Sequence, residues 1–452
     1  MADFLGSVWW MIVSLGVLVT FHEFGHYWVA RRCGVKVLRF SVGFGKPLWS
    51  RRNRNGTEFA IAAIPLGGYV KMLDEREAEV PAGERMAAFN NKSVWQRLAI
   101  VAAGPAANLL LCIALLWAMF VIGNRDYSAT IGRASGMAAA AGFGMGERIL
   151  DIDGRSVPTW AEASMALTTA AMDRSDARVR VRDTLGNERT RVLPLSTLPV
   201  GFDERSVPTQ TGLVWQFQLQ PALLDTVAKG AAASGVLFPG DVILAIDGQP
   251  VDSAGQVAPL VQQLGQRGGA GMVEVQRDGQ RLALEITPRQ AGDGPDKGRW
   301  LIGAGFAAGQ APAHDALRQY GPLAALPAAL RETGKLAGDS LGMMRRMLTG
   351  HASVKNISGP ITIARVANAS AERGVDWFLY FLALLSLSLC IINLLPIPIL
   401  DGGHLLYYLI ELVKGSPLSE RVMAAGQYVG LALLAGLMGL AFYNDILGLV
   451  PR

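Results

Sequence analysis

Four long stretches without a charged residue constrain this chain more than any other feature of its sequence. They are Phe4–Phe21, Leu98–Ile122, Phe378–Leu400 and Val422–Tyr443. Each approaches or exceeds the roughly 20 residues that a helix needs to cross a bilayer. Only helices and closed barrels satisfy their backbone polar groups within lipid. The stretches therefore predict a polytopic α-helical membrane protein with four transmembrane helices.

The bulk composition agrees with a membrane protein. Of the 452 residues, 51% are hydrophobic and 17% are charged, which is more apolar than an average soluble protein. The length is too great for one ordinary domain. Cys33, Cys112 and Cys390 lie in or beside the apolar stretches, and none is spaced as a metal or redox pair.

The first stretch is predicted to stay in the protein rather than to be a cleaved signal peptide. Its start carries Asp3 where a signal peptide has a basic region. It also leads directly into the histidines described below, which cleavage would discard.

The distribution of basic residues predicts the orientation. Residues 31–97 hold 13 Lys and Arg, and the N-terminal tail has none. By the positive-inside rule, this first loop is cytoplasmic and the N-terminus faces the other side. Residues 125–376 then lie outside the cytoplasm, and the end of the first span lies near the cytoplasmic face.

Residues 37–71, within the basic loop, have a pattern typical of strands. Val37–Ser50 and Thr57–Lys71 flank the turn sequence NRNG at residues 53–56. The pattern predicts an apolar β-hairpin. In one interpretation the hairpin enters the membrane beside the first span. Its backbone N–H and C=O groups must then form hydrogen bonds with protein or with water in a cavity. The alternative is an ordinary cytoplasmic hairpin.

An internal repeat lies between the second and third spans. The sequence GFGMGERILDIDG at residues 142–154 corresponds to GVLFPGDVILAIDG at residues 235–248, and the two Asp-Gly pairs are 94 residues apart. Each copy predicts a glycine turn, a short buried strand and an Asp-Gly hairpin turn. Both resemble PDZ domains of the type found in bacterial proteases, although Glu147 replaces the aspartate of the second copy. Two extramembranous PDZ-like α+β domains are predicted.

A PDZ domain binds an extended peptide by adding it as a strand at a groove. Ala129–Gly132 and Ala222–Asp225 are the candidate strands beside such grooves. The resemblance implies contact with a peptide or a substrate domain. The alternative is that the grooves are occluded and the tandem acts as a bulky filter.

The segment Ala316–Met347 mixes apolar and basic residues at helical spacing. Two interpretations fit this composition. One is a helix that lies on the membrane surface. The other is a solvated linker helix.

Two of the five histidines, His22 and His26, end the first apolar stretch in the sequence HEFGH. Residues four apart share one face of a helix, so both imidazoles can reach one metal ion. Glu23 stands beside the first histidine, as in the HExxH pattern of zinc metalloproteases. Ionisable residues within a hydrophobic helix are costly and usually functional. A packing or proton-relay pair is the alternative.

The third stretch supplies a candidate for the third ligand that a catalytic zinc ion requires. The sequence NLLPIPILDGGH at residues 393–404 has two prolines that interrupt a helix, and Asp401 follows them. His404 is predicted to pack or support the site rather than to bind the metal. In the second stretch, Asn108 within GPAAN is a polar group in an apolar helix. It is expected to make a plain structural contact, and the alternative is that it packs against the helix that carries the two histidines.

HEFGH in a first span and NLLPIPILDGGH in a late one resemble the site-2 protease family of intramembrane zinc metalloproteases. The resemblance extends from His22 to Asp401. It implies that zinc is the cofactor, that His22, His26 and Asp401 bind it, and that Glu23 is the general base. It also implies that Asn393 holds the substrate backbone. By the same resemblance, a membrane-reentrant β-loop containing Gly67, Gly68 and Tyr69 grips the substrate as an extended strand.

The family's substrates are transmembrane segments that another protease has already shortened on the outer side. The resemblance implies that they include an anti-sigma factor of the envelope stress response and leftover signal peptides. It also implies a bacterial inner-membrane protein with its PDZ-like domains in the periplasm. Membrane lipids are further expected partners, and no nucleic acid is expected.

Two other classes of protein share parts of this pattern. A zinc transporter or sensor could use the same three ligands but has no need of a base at Glu23. A catalytically silent scaffold could hold membrane peptides through the PDZ-like pair, but it has no need of an intact ligand set.

The predicted organisation is a first transmembrane helix at 1–33, a β-loop region at 34–96, a second helix at 97–124, PDZ-like domains at 127–210 and 211–305, a linker with a surface helix at 306–376, a third helix at 377–412 and a fourth at 420–446.

Overall fold

The computed structural model describes residues 2–199, 202, 204, 207–219, 221–292, 296–307 and 313–449. They divide into two compact units. One unit is Asp126–Ala316, and the other combines Met1–Arg125 with Leu317–Arg452.

The helices of the described residues are α1 (Ala2–Arg32), α2 (Val94–Ile122), α3 (Gly136–Ala140), α4 (Trp160–Met172), α5 (Val207–Thr211), α6 (Val257–Arg267), α7 (Pro322–Leu348), α8 (Pro360–Arg373), α9 (Val375–Leu394), α10 (Asp401–Lys414) and α11 (Glu420–Leu449). The strands are β1 (Val37–Arg52), β2 (Glu58–Met72), β3 (Asn124–Asp126), β4 (Ile131–Ala134), β5 (Arg148–Ile152), β6 (Arg155–Ser156), β7 (Ala177–Arg182), β8 (Glu188–Leu193), β9 (Leu213–Trp215), β10 (Ala222–Val227), β11 (Val242–Ile246), β12 (Gln249–Pro250), β13 (Gly271–Arg277), β14 (Gln280–Ile286), β15 (Arg289–Gln290), β16 (Trp300–Leu301), β17 (Ala304–Phe306) and β18 (Ala316–Arg318).

Four helices of the described chain are long and apolar enough to cross a membrane, as predicted. They cover Asp3–Arg32, Val94–Ile122, Val375–Leu394 and Arg421–Gly448. The start of α2 is defined by Ser93, which accepts a hydrogen bond from the Gln96 backbone, while the Gln96 side chain accepts one from the Ser93 backbone. The chain is therefore a membrane protein that contains both membrane-spanning helices and β sheets.

The third predicted helix is shorter than the range 377–412 suggested. Helix α9 ends at Leu394, and α10 begins only at Asp401. The prolines at 396 and 398 have no N–H to continue the helical ladder. The segment between the two helices has single short-range bonds instead, such as Ile397 N to Leu395 O at 2.7 Å. The helix axis of α10 is therefore not constrained to continue that of α9.

Strands β1 and β2 form the predicted hairpin, and it is folded back on itself. The first half of β1, Arg39–Val42, pairs with Glu58–Ile61 on one side and with Gly68–Lys71 on the other. Gly43 and Gly45 have φ angles of 92° and 87°, which a residue with a side chain rarely adopts. These bends leave Gly68–Lys71 as an edge with which no other described strand pairs.

Apart from the short helix α3 of the first copy, the two repeat copies in the unit Asp126–Ala316 have the same order of a strand, two paired strands, a helix and a strand pair. In the first copy the sheet order is β6-β5-β7-β8, with α4 packed on it. In the second it is β14-β13-β11-β10-β17, with β12 beside β11 and α6 packed on the sheet. Asp153 and Asp247 both have positive φ angles, of 53° and 49°, in the Asp-Gly hairpin turns. The repeat is thus a repeat of structure as well as of sequence.

The predicted boundary between the copies at 210/211 differs from the structure. Strand β9, which follows it, pairs with β4 of the first copy, and Leu213 lies in the first core. The candidate groove strand at 222–225 also has no free edge, because β10 pairs with β11 on one side and β17 on the other. Pairing partners far along the chain decide both points, and sequence spacing does not reveal them.

Two helices follow in the other unit. One face of α7 packs on α2, with Ala325, Ala329 and Leu336 against Cys112 and Leu116. Neither of the two predicted positions, on the membrane surface or in solvent, included this packing against α2. Helix α8 was not predicted at all.

Candidate metal centre

Helix α1 brings the two predicted histidines together. The Nε2 atoms of His22 and His26 are 3.2 Å apart, and the two rings meet edge to face with centroids 4.9 Å apart. The helical spacing of four residues puts both rings on one face. His26 is buried and His22 is half-buried.

Asp401, the first residue of α10, completes the group. Its Oδ2 atom lies 3.1 Å from His22 Nε2 and 3.4 Å from His26 Nε2. Among the described residues, these three are the one set of His, Cys, Asp or Glu whose ligand atoms all lie within 4.8 Å of one another. His404, predicted to support the site rather than to bind the metal, is outside this set.

The three donor atoms fit a zinc ion. Zinc bonds of about 2.1 Å at tetrahedral angles separate neighbouring donors by about 3.4 Å. The observed separations are 3.1, 3.2 and 3.4 Å. Asp401 Oδ2 is also buried without a hydrogen bond of good geometry in the described chain, which a bound cation would compensate.

Helix α2 supports both histidines from behind. The backbone oxygen of Ile100 lies 2.8 Å from His26 Nδ1, so this nitrogen carries the proton and Nε2 presents its lone pair. The amide group of Asn108 lies 3.2 Å from His22 Nδ1. Because Asn108 Oδ1 is buried and unpaired, the amide orientation that turns Oδ1 towards Nδ1–H satisfies both groups. Asn108 therefore packs against α1 and contacts a site residue, which is the alternative predicted for it.

Glycines let the two helices approach this closely. A Cβ atom at Gly25 would lie 2.2 Å from Ala103 O of α2. A Cβ at Gly104 would lie 2.2 Å from His26 Nε2. Small residues at a helix contact have this effect in membranes.

Glu23 lies beside the edge of the hairpin. Its carboxylate is hydrogen-bonded by the backbone of Val70. A Cβ at Gly68 would lie 3.1 Å from Glu23 Cγ and 2.7 Å from Ser41 O. The hairpin edge therefore runs next to the candidate base.

The remaining predicted residues lie on the hairpin and at the end of α9. Gly67 has a φ angle of 129°, and a Cβ atom there would lie 2.4 Å from the Phe44 ring. The Phe44 ring stacks on the Tyr69 ring, with the two ring centroids 6.1 Å apart. The Tyr69 hydroxyl accepts a hydrogen bond from Arg39 at 3.2 Å. Asn393 is half-buried in the last turn of α9.

Comparison with known proteins gives a consistent result. The profile of peptidase family M50 matches residues 10–437. A protein of Xylella fastidiosa (strain 9a5c), named "Putative zinc metalloprotease", is 64% identical over 99% of this chain and 100% of its own length. The "Regulator of sigma-E protease RseP" of Escherichia coli (strain K12) is 40% identical over 98% of this chain and 99% of its own. Its counterpart in Salmonella typhimurium (strain 14028s / SGSC 2262) is 41% identical over 96% and 97%.

Proposed function

The chain belongs to peptidase family M50, the site-2 proteases, and is a zinc metalloendopeptidase; from this premise we propose that it cleaves transmembrane segments of single-span proteins already truncated on their periplasmic side. The observation that carries the proposal is the convergence of His22, His26 and Asp401 beside Glu23, on helices long enough to span a membrane. These three residues would hold the zinc ion.

Each residue of the site has a separate task. When bound, zinc polarises a carbonyl group and acidifies a water molecule. The Glu23 carboxylate accepts a proton from the attacking water and returns it to the leaving nitrogen. The Ile100 carbonyl oxygen and the Asn108 amide oxygen accept the Nδ1 protons of His26 and His22. Both Nε2 lone pairs are therefore directed at the metal centre.

The substrate is an extended peptide paired with the hairpin edge. A peptide bond within a helix is shielded by its own hydrogen bonds, so a transmembrane substrate must unwind before cleavage. The unpaired edge Gly68–Lys71 can replace the lost bonds by strand addition next to Glu23. The Asn393 amide holds the substrate backbone at the cut, and Gly67 and Tyr69 shape the edge.

The repeated domains are PDZ domains that lie in the periplasm of a bacterium, and the protein lies in the inner membrane with its site near the cytoplasmic face. The basic loop at 31–97 supports this orientation. The substrates include an anti-sigma factor of the envelope stress response and remnant signal peptides, as the resemblance to site-2 proteases implies. The 40%-identical relative is named a regulator of sigma-E protease, which supports a link to a sigma factor. We propose that the tandem acts as a filter, because β10, the candidate strand beside the second groove, is paired on both sides. An ion pair between Arg133 and Asp252 links the two copies.

Substitution of Glu23 tests the mechanism. Glu23→Gln keeps the shape of the side chain but removes the base, so we expect bound zinc to be retained and cleavage of a truncated single-span substrate to be lost. Glu77→Gln, on an exposed residue of the loop after β2, is the matched control. Undiminished cleavage by Glu23→Gln would contradict the mechanism. A zinc transporter or a silent scaffold would show no cleavage by the unaltered protein.

A further inference from the structure

Asp401 begins helix α10, which is not a continuation of α9. The segment 395–400 separates it from α9 and has no helical ladder. The position of the Asp401 carboxylate therefore depends on what α10 packs against. At its start, a Cβ at Gly402 would lie 2.1 Å from Leu395 O, and one at Gly403 2.4 Å from Ile397 O. These contacts fix where α10 begins but leave its tilt undetermined.

The far end of α10 is held by an ion pair with α2. Arg97 donates from Nη2 to Glu411 Oε1 at 2.8 Å and from Nη1 to Oε2 at 3.2 Å. The side chains of Arg97 and Glu411 are only 12% and 11% exposed. A planar guanidinium bound through two nitrogens fixes direction as well as distance.

The surroundings of the pair restrict it further. The Arg97 guanidinium carbon lies 4.8 Å from the centre of the Tyr408 ring, one turn before Glu411 on α10. Arg97 also donates to the backbone oxygen of Lys92 at 3.1 Å. Phe89 packs against the same Tyr408 ring. The guanidinium is thus held in one position, and α10 is held with it.

The same face of α2 holds the other two ligands. Arg97, Ile100, Gly104 and Asn108 follow each other at intervals of three or four residues, so they form one stripe along the helix. Ile100 and Asn108 contact His26 and His22, and Gly104 leaves room for both rings. We propose that the Arg97–Glu411 ion pair is a positioning device for Asp401, so that one stripe of α2 aligns all three zinc ligands. The inference rests on the ligand set of the proposed function.

Zinc affinity tests the proposal. A chelator removes zinc from the full-length protein in detergent. The protein is then titrated with zinc in the presence of a chromophoric ligand that competes with it for the metal. For Arg97→Gln we expect affinity to fall by roughly tenfold, the lower end of the effect of losing a supporting contact. The exchange of both charges, Arg97→Glu with Glu411→Arg, is expected to recover most of it. Glu84→Gln, which breaks the more exposed Lys36–Glu84 pair, is the control and should bind zinc normally.

A spectrum separates positioning from general stability. With cobalt in place of zinc, the visible absorption reports the ligand set. The spectrum of Arg97→Gln should shift towards that of Asp401→Ala, whereas a purely structural role would leave it unchanged. If Arg97→Gln does not fold, Glu411→Gln replaces it in both measurements.

Wild-type zinc affinity and an unchanged cobalt spectrum in the single variants would overturn the proposal. So would a charge exchange that binds zinc no better than Arg97→Gln. The failure of the unaltered protein to bind zinc would instead contradict the ligand set of the proposed function.

Discussion

Gly104 of α2 lies so close to His26 of α1 that a Cβ atom at position 104 would be 2.2 Å from the His26 Nε2 atom. This Cβ atom would also lie 2.6 Å from His26 Cε1 and 2.8 Å from His22 Cε1. Both rings would have to move from their present positions. The absence of one side chain on α2 is therefore a condition for the metal centre on α1.

Gly104→Ala is expected to lower zinc affinity by about tenfold to a hundredfold, because it displaces two ligands at once. Titration with zinc measures this directly. Gly16→Ala on α1 is the control, since a Cβ there would meet no atom within 4 Å. Equal zinc affinity in the two variants would show that the rings do not depend on this contact.

Gly68→Ala is expected to reduce cleavage by about tenfold or more while zinc stays bound. The added carbon would lie 2.7 Å from Ser41 O, 2.9 Å from Val19 Cγ1 and 3.1 Å from Glu23 Cγ, which moves the edge relative to the base. The measurement compares the specificity constant for a truncated substrate with bound zinc. Gly83→Ala, with open space around it, is the control. Loss of zinc in Gly68→Ala would assign the residue to the metal centre instead of the substrate edge.

Deletion of residues 127–305 is expected to allow cleavage of substrates that no other protease has shortened, because it removes the proposed filter. The assay follows full-length and truncated forms of one single-span substrate in membranes. The Glu23→Gln change in the same deletion is the control for cleavage by other proteases. Uncut substrates that stay resistant would exclude a filter.

Asp241 in the second repeat is expected to make its domain sensitive to acid. Arg277 donates to both of its oxygens at 2.7 Å and holds the pKa of the Asp241 carboxyl below its usual range. A lowered pKa in the folded state contributes stability above the unfolded value of about 3.9, and this contribution is lost as the pH falls through the folded value. At pH 7, Asp241→Asn should cost about 1.5–3 kcal/mol.

Hydrogen exchange in β11 and β13 measures this effect in the full chain. Exchange at pH 7 should be faster in Asp241→Asn than in the unaltered protein, and the difference should shrink as the pH falls through the lowered pKa of the folded state. Asp225→Asn, on an exposed residue of β10, is the control. A difference that persists in acid would exclude the ion pair as its cause.

The repeat shows how a motif residue can be read from sequence and explained only by structure. Glu147 occupies the place of Asp241 in the first copy. It accepts a hydrogen bond from Gly144 N at 2.9 Å and pairs with Arg191, as Asp241 does with Phe238 N and Arg277. The longer side chain thus reproduces the same two contacts. The acidic residue of the motif is explained by its role in holding a turn.

Several contacts that support the metal centre could hardly be predicted from the sequence. Gly104 and Asn108 belong to GPAAN, which indicated only helix packing. Ile100 acts through its backbone oxygen, so its residue type carries no information about the contact with His26. Arg97 and Glu411 are 314 residues apart, and each alone resembles a charge at the end of a span.

Local chemistry in the sequence was enough to determine the four apolar helices, the histidine pair with its glutamate, the break at the two prolines and the hairpin turn. These features depend on hydrophobic length, helical period and the missing N–H of proline, all of which act over a few residues. Only the tertiary structure decided that Asp401 meets His22 and His26, that one stripe of α2 lies behind them, and that the edge Gly68–Lys71 runs beside Glu23. Those relations join segments far apart in the chain, so they depend on how closely helices pack.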